Sequence, residues 1–219
     1  MGTRKWLSLV FPVLICMPGL STAQEKDDFL QNQIKFNPLK LVDLVNPGIE
    51  LGFERFHTKR TSSQLMVTWQ KEILNTTPWH NYHGWRFAFE QKYFTWHQGN
   101  RGYYMGFELA YLNVDYDNVG EFETDTTQSA IKYEDSFHTA KQSYSANFKA
   151  GIQFSFKSFV VDIYSGIGIK YKMVGREGLQ DPNDVESHPI DPNVYYISNK
   201  EGNYFGINVP LSIRICYRF

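Results

Sequence analysis

From Ile207 to Phe219 every second residue is apolar or aromatic. The series is Ile207, Val209, Leu211, Ile213, Ile215, Tyr217 and Phe219, with Asn208, Pro210, Ser212, Arg214, Cys216 and Arg218 between. A period of two belongs to a β-strand whose two faces meet different surroundings. A helix would set Arg214 and Arg218 beside Leu211 and Ile215 on one face, so the segment reads as extended.

The same alternation recurs upstream. Phe159, Val161, Ile163, Ile167, Ile169 and Tyr171 alternate with polar or small residues, with Ser165 interrupting the apolar set. Tyr144, Ala146, Phe148, Ala150, Ile152, Phe154 and Phe156 form another series, as do Tyr103, Met105, Phe107, Leu109 and Tyr111. Trp85, Phe87, Phe89 and Tyr93 make a fourth, and Leu65, Val67 and Trp69 a shorter one. Ile49, Leu51 and Phe53 alternate with Glu50, Gly52 and Glu54, and Ile34 with Phe36 opens a first strand cut short by Pro38. Eight strands are expected. Short connections at 57–62, 97–100 and 157–158 alternate with longer ones at 75–83, 118–140 and 175–202; the short link at 43–47 fits less well. The fold class is therefore all-β, an eight-stranded antiparallel up-and-down barrel.

Residues 1–23 read as a secretory signal. Arg4 and Lys5 precede an apolar run from Trp6 to Met17, and Ser21-Thr22-Ala23 offers small residues for cleavage before Gln24. Loss of that segment takes two of the 22 basic residues, leaving 20 against 23 acidic, and also takes Cys16. Cys216 then stands alone, without an intrachain disulfide. Residues 24–219 form one barrel domain. Later segments contain no continuous apolar stretch of membrane-helix length, and the mean hydropathy is −0.42, which excludes a helical membrane protein. The near-neutral charge carries no basic tract for nucleic acid.

Alternation does not say which face points inward. Four features favour a membrane barrel with a polar lumen over a soluble one with an apolar lumen. The polar face is rich in small residues (Gly52, Ala88, Gly106, Ala110, Gly151, Gly166 and Gly168), as a narrow lumen requires. It also mixes both signs of charge, adding Lys35 and Lys172 to the candidate lumen network. That network comprises Glu50, Glu54, Arg86, Glu90, Lys92, Glu108, Lys149, Asp162, Lys170, Arg214 and Arg218. Pairing makes enclosed charges tolerable. Aromatics gather near predicted strand ends: Trp96, Tyr103, Tyr217 and Phe219 at one rim, Trp79, Trp85, Tyr171 and Tyr204 at the other. Finally, the last strand ends on an aromatic residue. The expected place is a bacterial outer membrane, with both termini periplasmic and lipid as the surrounding partner.

Residues 209–219 resemble the C-terminal assembly signal of outer-membrane proteins. That resemblance implies recognition of Tyr217 and Phe219 by the barrel-assembly machinery. The segment Ile34-Lys-Phe-Asn-Pro-Leu39, with Gly48-Ile-Glu-Leu-Gly-Phe-Glu54, is similar to the start of small barrels of unknown function in Bacteroidota, of OmpA/OmpX-like architecture. The resemblance implies fold and location and brings no catalytic residues.

Chemistry is sparse. His80 and His83 have metal-ligand spacing but sit in a predicted loop without a nearby Cys or fixed carboxylate. Asp181, Asp184, Glu186 and Asp191 lack the glycine of a calcium loop; Pro182 and Pro189 interrupt them and Pro192 follows. His57, His97 and His138 form no recognisable Ser–His–acid set. No catalytic residue, metal site or cofactor is assigned. The expectation is a non-enzymatic barrel with a structural or surface-binding role through its external loops, and an unidentified protein partner is left open. The alternatives are a lipid-modifying deacylase or acyltransferase, or a narrow channel.

Overall fold

The computed structural model describes residues 32–43, 45–71, 73, 79–123, 132–179, 185–188 and 201–219. Seven strands follow in chain order: β1 (Asn32–Asn37), β2 (Gly48–Phe56), β3 (Thr61–Lys71), β4 (His80–Gln98), β5 (Arg101–Glu123), β6 (Lys132–Phe156) and β7 (Phe159–Glu177). Each is antiparallel to the one before. Two segments, β9 (Gly202–Asn208) and β10 (Leu211–Arg218), run along β7 as one further strand. β10 then pairs with β1, which closes an eight-stranded antiparallel barrel. A short strand, β8 (Val185–His188), pairs off this circuit with Glu121, Phe122 and Glu123 of β5.

The expected terminal strand is longer and less regular than its alternation suggests. It begins at Gly202 and breaks at Val209 and Pro210. Proline has no N–H to give a sheet ladder, so the pairing lapses between Asn208, opposite Gly168, and Leu211, opposite Ser165, while the register itself is kept. Three expected loops also shrink. β4 already starts at His80, and β5 and β6 run on to Glu123 and back from Lys132 as a tall hairpin. β7 continues to Glu177. The proposed signal at 1–23 lies outside the described residues. So do Asp181, Asp184 and Asp191, while Glu186 falls on β8.

One rim, here the lower, carries tight connections. Gly99 and Lys157 open two-residue turns with φ of 58° and 55°. Asn32 and Phe219 close the same rim, exchanging backbone hydrogen bonds of 3.3 and 3.0 Å. The upper rim is uneven. β5 and β6 have 23 and 25 residues, whereas β1 and β2 have 6 and 9. The wall is therefore tall along β4–β7 and low along β1–β3.

Alternation sorts the side chains. Outward positions keep Phe148, Leu211 and Phe205 at 69%, 72% and 81% exposed. Inward positions bury Gln33, Lys35, Glu54, Glu90, Glu108 and Asp162 almost completely. A row of aromatics (Phe87, Tyr111, Tyr144, Tyr171 and Phe205) crosses adjacent strands near the upper edge of the apolar band. Trp85 lies outward beside Trp69, and Tyr93, Trp96, Tyr103 and Tyr217 lie near the lower edge. Two expected rim residues turn inward instead. Trp79 is buried against Tyr82 and Tyr116, and Tyr204 lies on the inward face of β9 with the Lys172 ammonium over its ring.

Small lumen residues make room for large ones. A Cβ on Gly151 would fall 2.5 Å from the Tyr104 ring, and one on Gly52 would fall 2.0 Å from the Met66 sulfur. Phe56, Phe94, Tyr104 and Tyr164 form an aromatic cluster inside the barrel. Phe94 packs 5.4 Å from Phe56 and 5.5 Å from Tyr104, measured between ring centroids.

Candidate functional site

The lumen has two regions, a charged plug and an open vestibule above it. In the lower tier of the plug, Lys35 of β1 stands 2.5 Å from Glu54 and 2.6 Å from Asp162. Lys92 of β4 reaches the same two carboxylates at 3.5 and 2.9 Å. Asp162 also accepts from the Tyr104 hydroxyl at 2.7 Å. Glu54 accepts from Gln153 at 3.2 Å and from the Ser62 hydroxyl. Both ammonium groups and both carboxylates are 0% exposed, and each has more than one partner. Charges buried this deeply persist only when paired and hydrogen-bonded.

The upper tier is built around Arg214. Register places it opposite Asp162, yet its guanidinium reaches across the lumen to Glu50 at 3.8 Å and Glu90 at 3.5 Å. It also donates to the Tyr164 hydroxyl at 2.9 Å. Arg86 bridges Glu50 at 3.0 Å and Glu108 at 3.2 Å. Lys149 joins Glu90 at 3.3 Å and pairs closely with Glu108. Thr68 and Asn37 donate to Glu50, Gln64 to Glu90 Oε2 and Asn147 to Glu108, while Glu90 Oε1 accepts no hydrogen bond among the described residues.

Nine of the eleven residues assigned to the lumen network from sequence meet here: Glu50, Glu54, Arg86, Glu90, Lys92, Glu108, Lys149, Asp162 and Arg214. Two do not. Arg218 stands at the lower rim over the Phe56 ring at 5.5 Å. With the Gln33 carboxamide turned to present its oxygen, Arg218 donates to it at 2.8 and 3.0 Å. Lys170 lies above the plug and makes no ion pair among the described residues. Lys35, an equal member of the lower tier, stands outside the eleven. Its inward position was legible, but its height in the lumen was not. Tyr217 and Phe219 point outward at the lower rim, 6.4 Å apart between ring centroids.

Above the plug lies a cavity of about 620 Å³. Its floor includes Glu50, Arg86 and Tyr164, and Lys141, Lys170 and Lys172 line its tall side. On the low side, Lys40 and Asp43 pair at 2.5 Å. Burial pushes the Asp43 carboxyl up, but Lys40 and the Val45 and Asn46 amides outweigh it and hold the group below its usual range. Lys141 sits above the Tyr111–Tyr144 row, on a part of β6 beyond the apolar band. Burial first, and then Lys172, Lys170 and Lys40 against Asp43, bring it down to about 7.

A second cluster escaped the sequence reading because its members lie far apart in the chain. On the outward face of the tall wall, His138 approaches Asp117 at 2.9 Å and Asp115 at 3.8 Å. Asn81 donates to Asp117 at 2.6 Å. These hydrogen bonds hold the Asp117 carboxyl below its usual range. His80 and His83 belong to this strand end rather than to a loop, paired with Asp117 and Asp115 in register. No group of three or more His, Cys, Asp or Glu among the described residues is arranged to hold a metal ion.

Comparisons with protein-family models, curated proteins and solved structures find no match to this chain.

Proposed function

We propose that this chain is an integral outer-membrane protein, delivered by the signal at 1–23, with both termini in the periplasm. Its role is non-enzymatic, structural or surface-binding, through the hairpins above the apolar band. The observation that carries this reading is the inverted burial: Arg214 at 0% exposure inside, and Phe148 and Leu211 exposed outside. A soluble barrel shows the reverse distribution. From Tyr103 to Tyr111 the band runs roughly 27 Å along β5, or roughly 21 Å along the axis at a tilt of about 40°. An outer-membrane band measures about 25 Å, so the dimensions support the reading. The likeness of residues 34–39 and 48–54 to small Bacteroidota barrels supports the same placement.

The plug argues against an open channel, since its side chains fill the lumen at two levels. The tall β5–β6 hairpin supplies a polar surface beyond the band, with Asp115, Asp117, Glu121 and His138 on it. Three experiments test the reading. The protein should sediment with outer membranes and migrate faster unheated than heated on a denaturing gel; recovery from the soluble periplasm overturns the membrane placement. Trypsin added to intact cells should cut near Lys132 or Arg176 and spare the band. Deacylation of lipopolysaccharide in detergent, lost on a single His→Ala change, would replace the non-enzymatic role with a lipid-modifying one.

A further inference from the structure

The vestibule differs from every other charged part of the lumen in its imbalance. Two of its basic groups, Lys40 and Arg86, are paired with Asp43 and Glu50. Lys141 and Lys170 have no carboxylate partner among the described residues. Lys141 is only 4% exposed, and its one hydrogen bond among the described residues is a long 3.4 Å contact to the Asn46 carboxamide. Trp79 and Tyr116 flank its ammonium at 5.7 and 5.8 Å from their ring centroids. Aromatic faces soften the isolation of a buried cation but do not neutralise it. Lys172 stands on the same wall of β7, two residues from Lys170. A cluster of ammonium groups in a partly enclosed cavity is held apart by its own repulsion, and a multiply charged anion removes that repulsion.

The wall beside the cavity is also incomplete. The ladder between β7 and the last strand is interrupted at Val209 and Pro210. On the other flank, β1 pairs only as far up as Phe36 with Ile215, so β9 has no strand partner there among the described residues. The cavity lining consequently joins inward lysines to Ile207, Val209 and Leu211, which belong to the outward apolar face.

We propose that the vestibule binds a phosphate group, held by Lys141, Lys170 and Lys172, with an apolar remainder able to pass beside Pro210. The anion site rests on the cavity and its lysines; the lateral passage rests on the membrane reading above. Phosphate chemistry fits because lysine binds phosphate as a point charge, and Lys141, Lys170 and Lys172 line one cavity. The volume lies within the range of small-molecule pockets, roughly 300–1,000 Å³. Facing Lys141 are Lys170 and Lys172 from β7, Lys40 and Asp43 from the β1–β2 link, and Tyr116 from β5. An anion among them favours the protonated ammonium, so binding above pH 7 takes up a proton.

The test titrates the full chain in dodecyl maltoside micelles by calorimetry. The probes are inorganic phosphate, micelles doped with phosphatidic acid, and micelles doped with phosphatidylcholine as the zwitterionic control. Phosphate should bind with proton uptake above pH 7, weaken as salt rises, and weaken from about pH 8 to 9, where it is already the dianion and only the lysines still lose charge. The double change Lys141→Met with Lys170→Met should weaken binding about tenfold or more while the heat-modifiable mobility persists. Phosphatidic acid bound more tightly than phosphate, and displaced by it, assigns a lipid headgroup and supports the lateral passage. Phosphate binding with no preference for phosphatidic acid over phosphatidylcholine keeps the anion site and overturns the passage. Absence of binding by both phosphate and phosphatidic acid, or binding unchanged in the double variant, overturns the proposal. A soluble chain that still binds phosphate through these lysines would overturn the membrane reading and leave the anion site standing.

Discussion

The plug and the vestibule are neighbouring storeys of one lumen, built from the same strands, and they treat charge in opposite ways. In the plug every carboxylate meets at least one ammonium or guanidinium, and hydroxyl or amide donors add to each carboxylate. In the vestibule Lys141 and Lys170 lack such counterparts. The contrast separates charge that holds a structure from charge left available. The plug's groups neutralise one another across strands remote in sequence. Lys141 and Lys170 carry an electrostatic cost that no carboxylate among the described residues removes.

Substitutions in either region put this contrast to the test. The largest effect belongs to Asp162→Ala, which strips Lys35, Lys92 and Tyr104 of their shared acceptor. Leaving buried charges uncompensated should cost about 3–5 kcal/mol, read as a lower urea midpoint in detergent micelles. A midpoint within error of the native one would reduce the plug to incidental contacts. Next comes Gly151→Ala, whose methyl would meet the Tyr104 ring at 2.5 Å. Overpacking of this kind costs about 1–3 kcal/mol.

Lys141→Met should act with the opposite sign, raising the midpoint near neutral pH, because it removes a buried ammonium that forms no ion pair among the described residues. The sign of its pH dependence follows from linkage. The native group titrates at about 7, below its value of 10.5 in the unfolded chain, so between those values the unfolded chain holds the extra proton. Native stability should therefore rise with pH from about 7 toward 10.5, and the methionine variant should flatten that rise. A slope shared by both proteins would remove Lys141 from the account. The smallest change is Lys157→Gly, far from both regions. Its φ of 55° suits glycine, and the gain should stay within about 1 kcal/mol because glycine also loosens the unfolded chain.

How much of this was readable beforehand depends on what each residue faces. Ile213 and Ile215 against Arg214 declare their faces, since a two-residue period maps directly onto the pleat. The same reading placed nine network residues inside. Alternation does not supply heights, so it does not separate Lys35 in the lower tier from Lys170 above the plug and Arg218 below it. The extension of β5 and β6 was illegible for a different reason. Above Tyr111 both faces carry polar groups, such as Asp115 and Asp117 outward and Asn118 inward, so the contrast that reveals a strand fades. An aromatic near a strand end reads as interfacial, whereas Trp79 packs inside against Tyr82, Val114 and Tyr116.

Arg214 carries a consequence for how the barrel is made. It lies on the last strand, and its carboxylate partners lie on the second and fourth. Lys35 on the first strand answers to Asp162 on β7. On the membrane reading proposed above, a sheet lacking either end would present unanswered ions to a medium that solvates them poorly. Partly zipped forms are thus penalised from both ends, and the closed ring should appear all at once. Unfolding followed by tryptophan fluorescence and by gel mobility should then give coincident curves; separated curves would show a seam that opens alone.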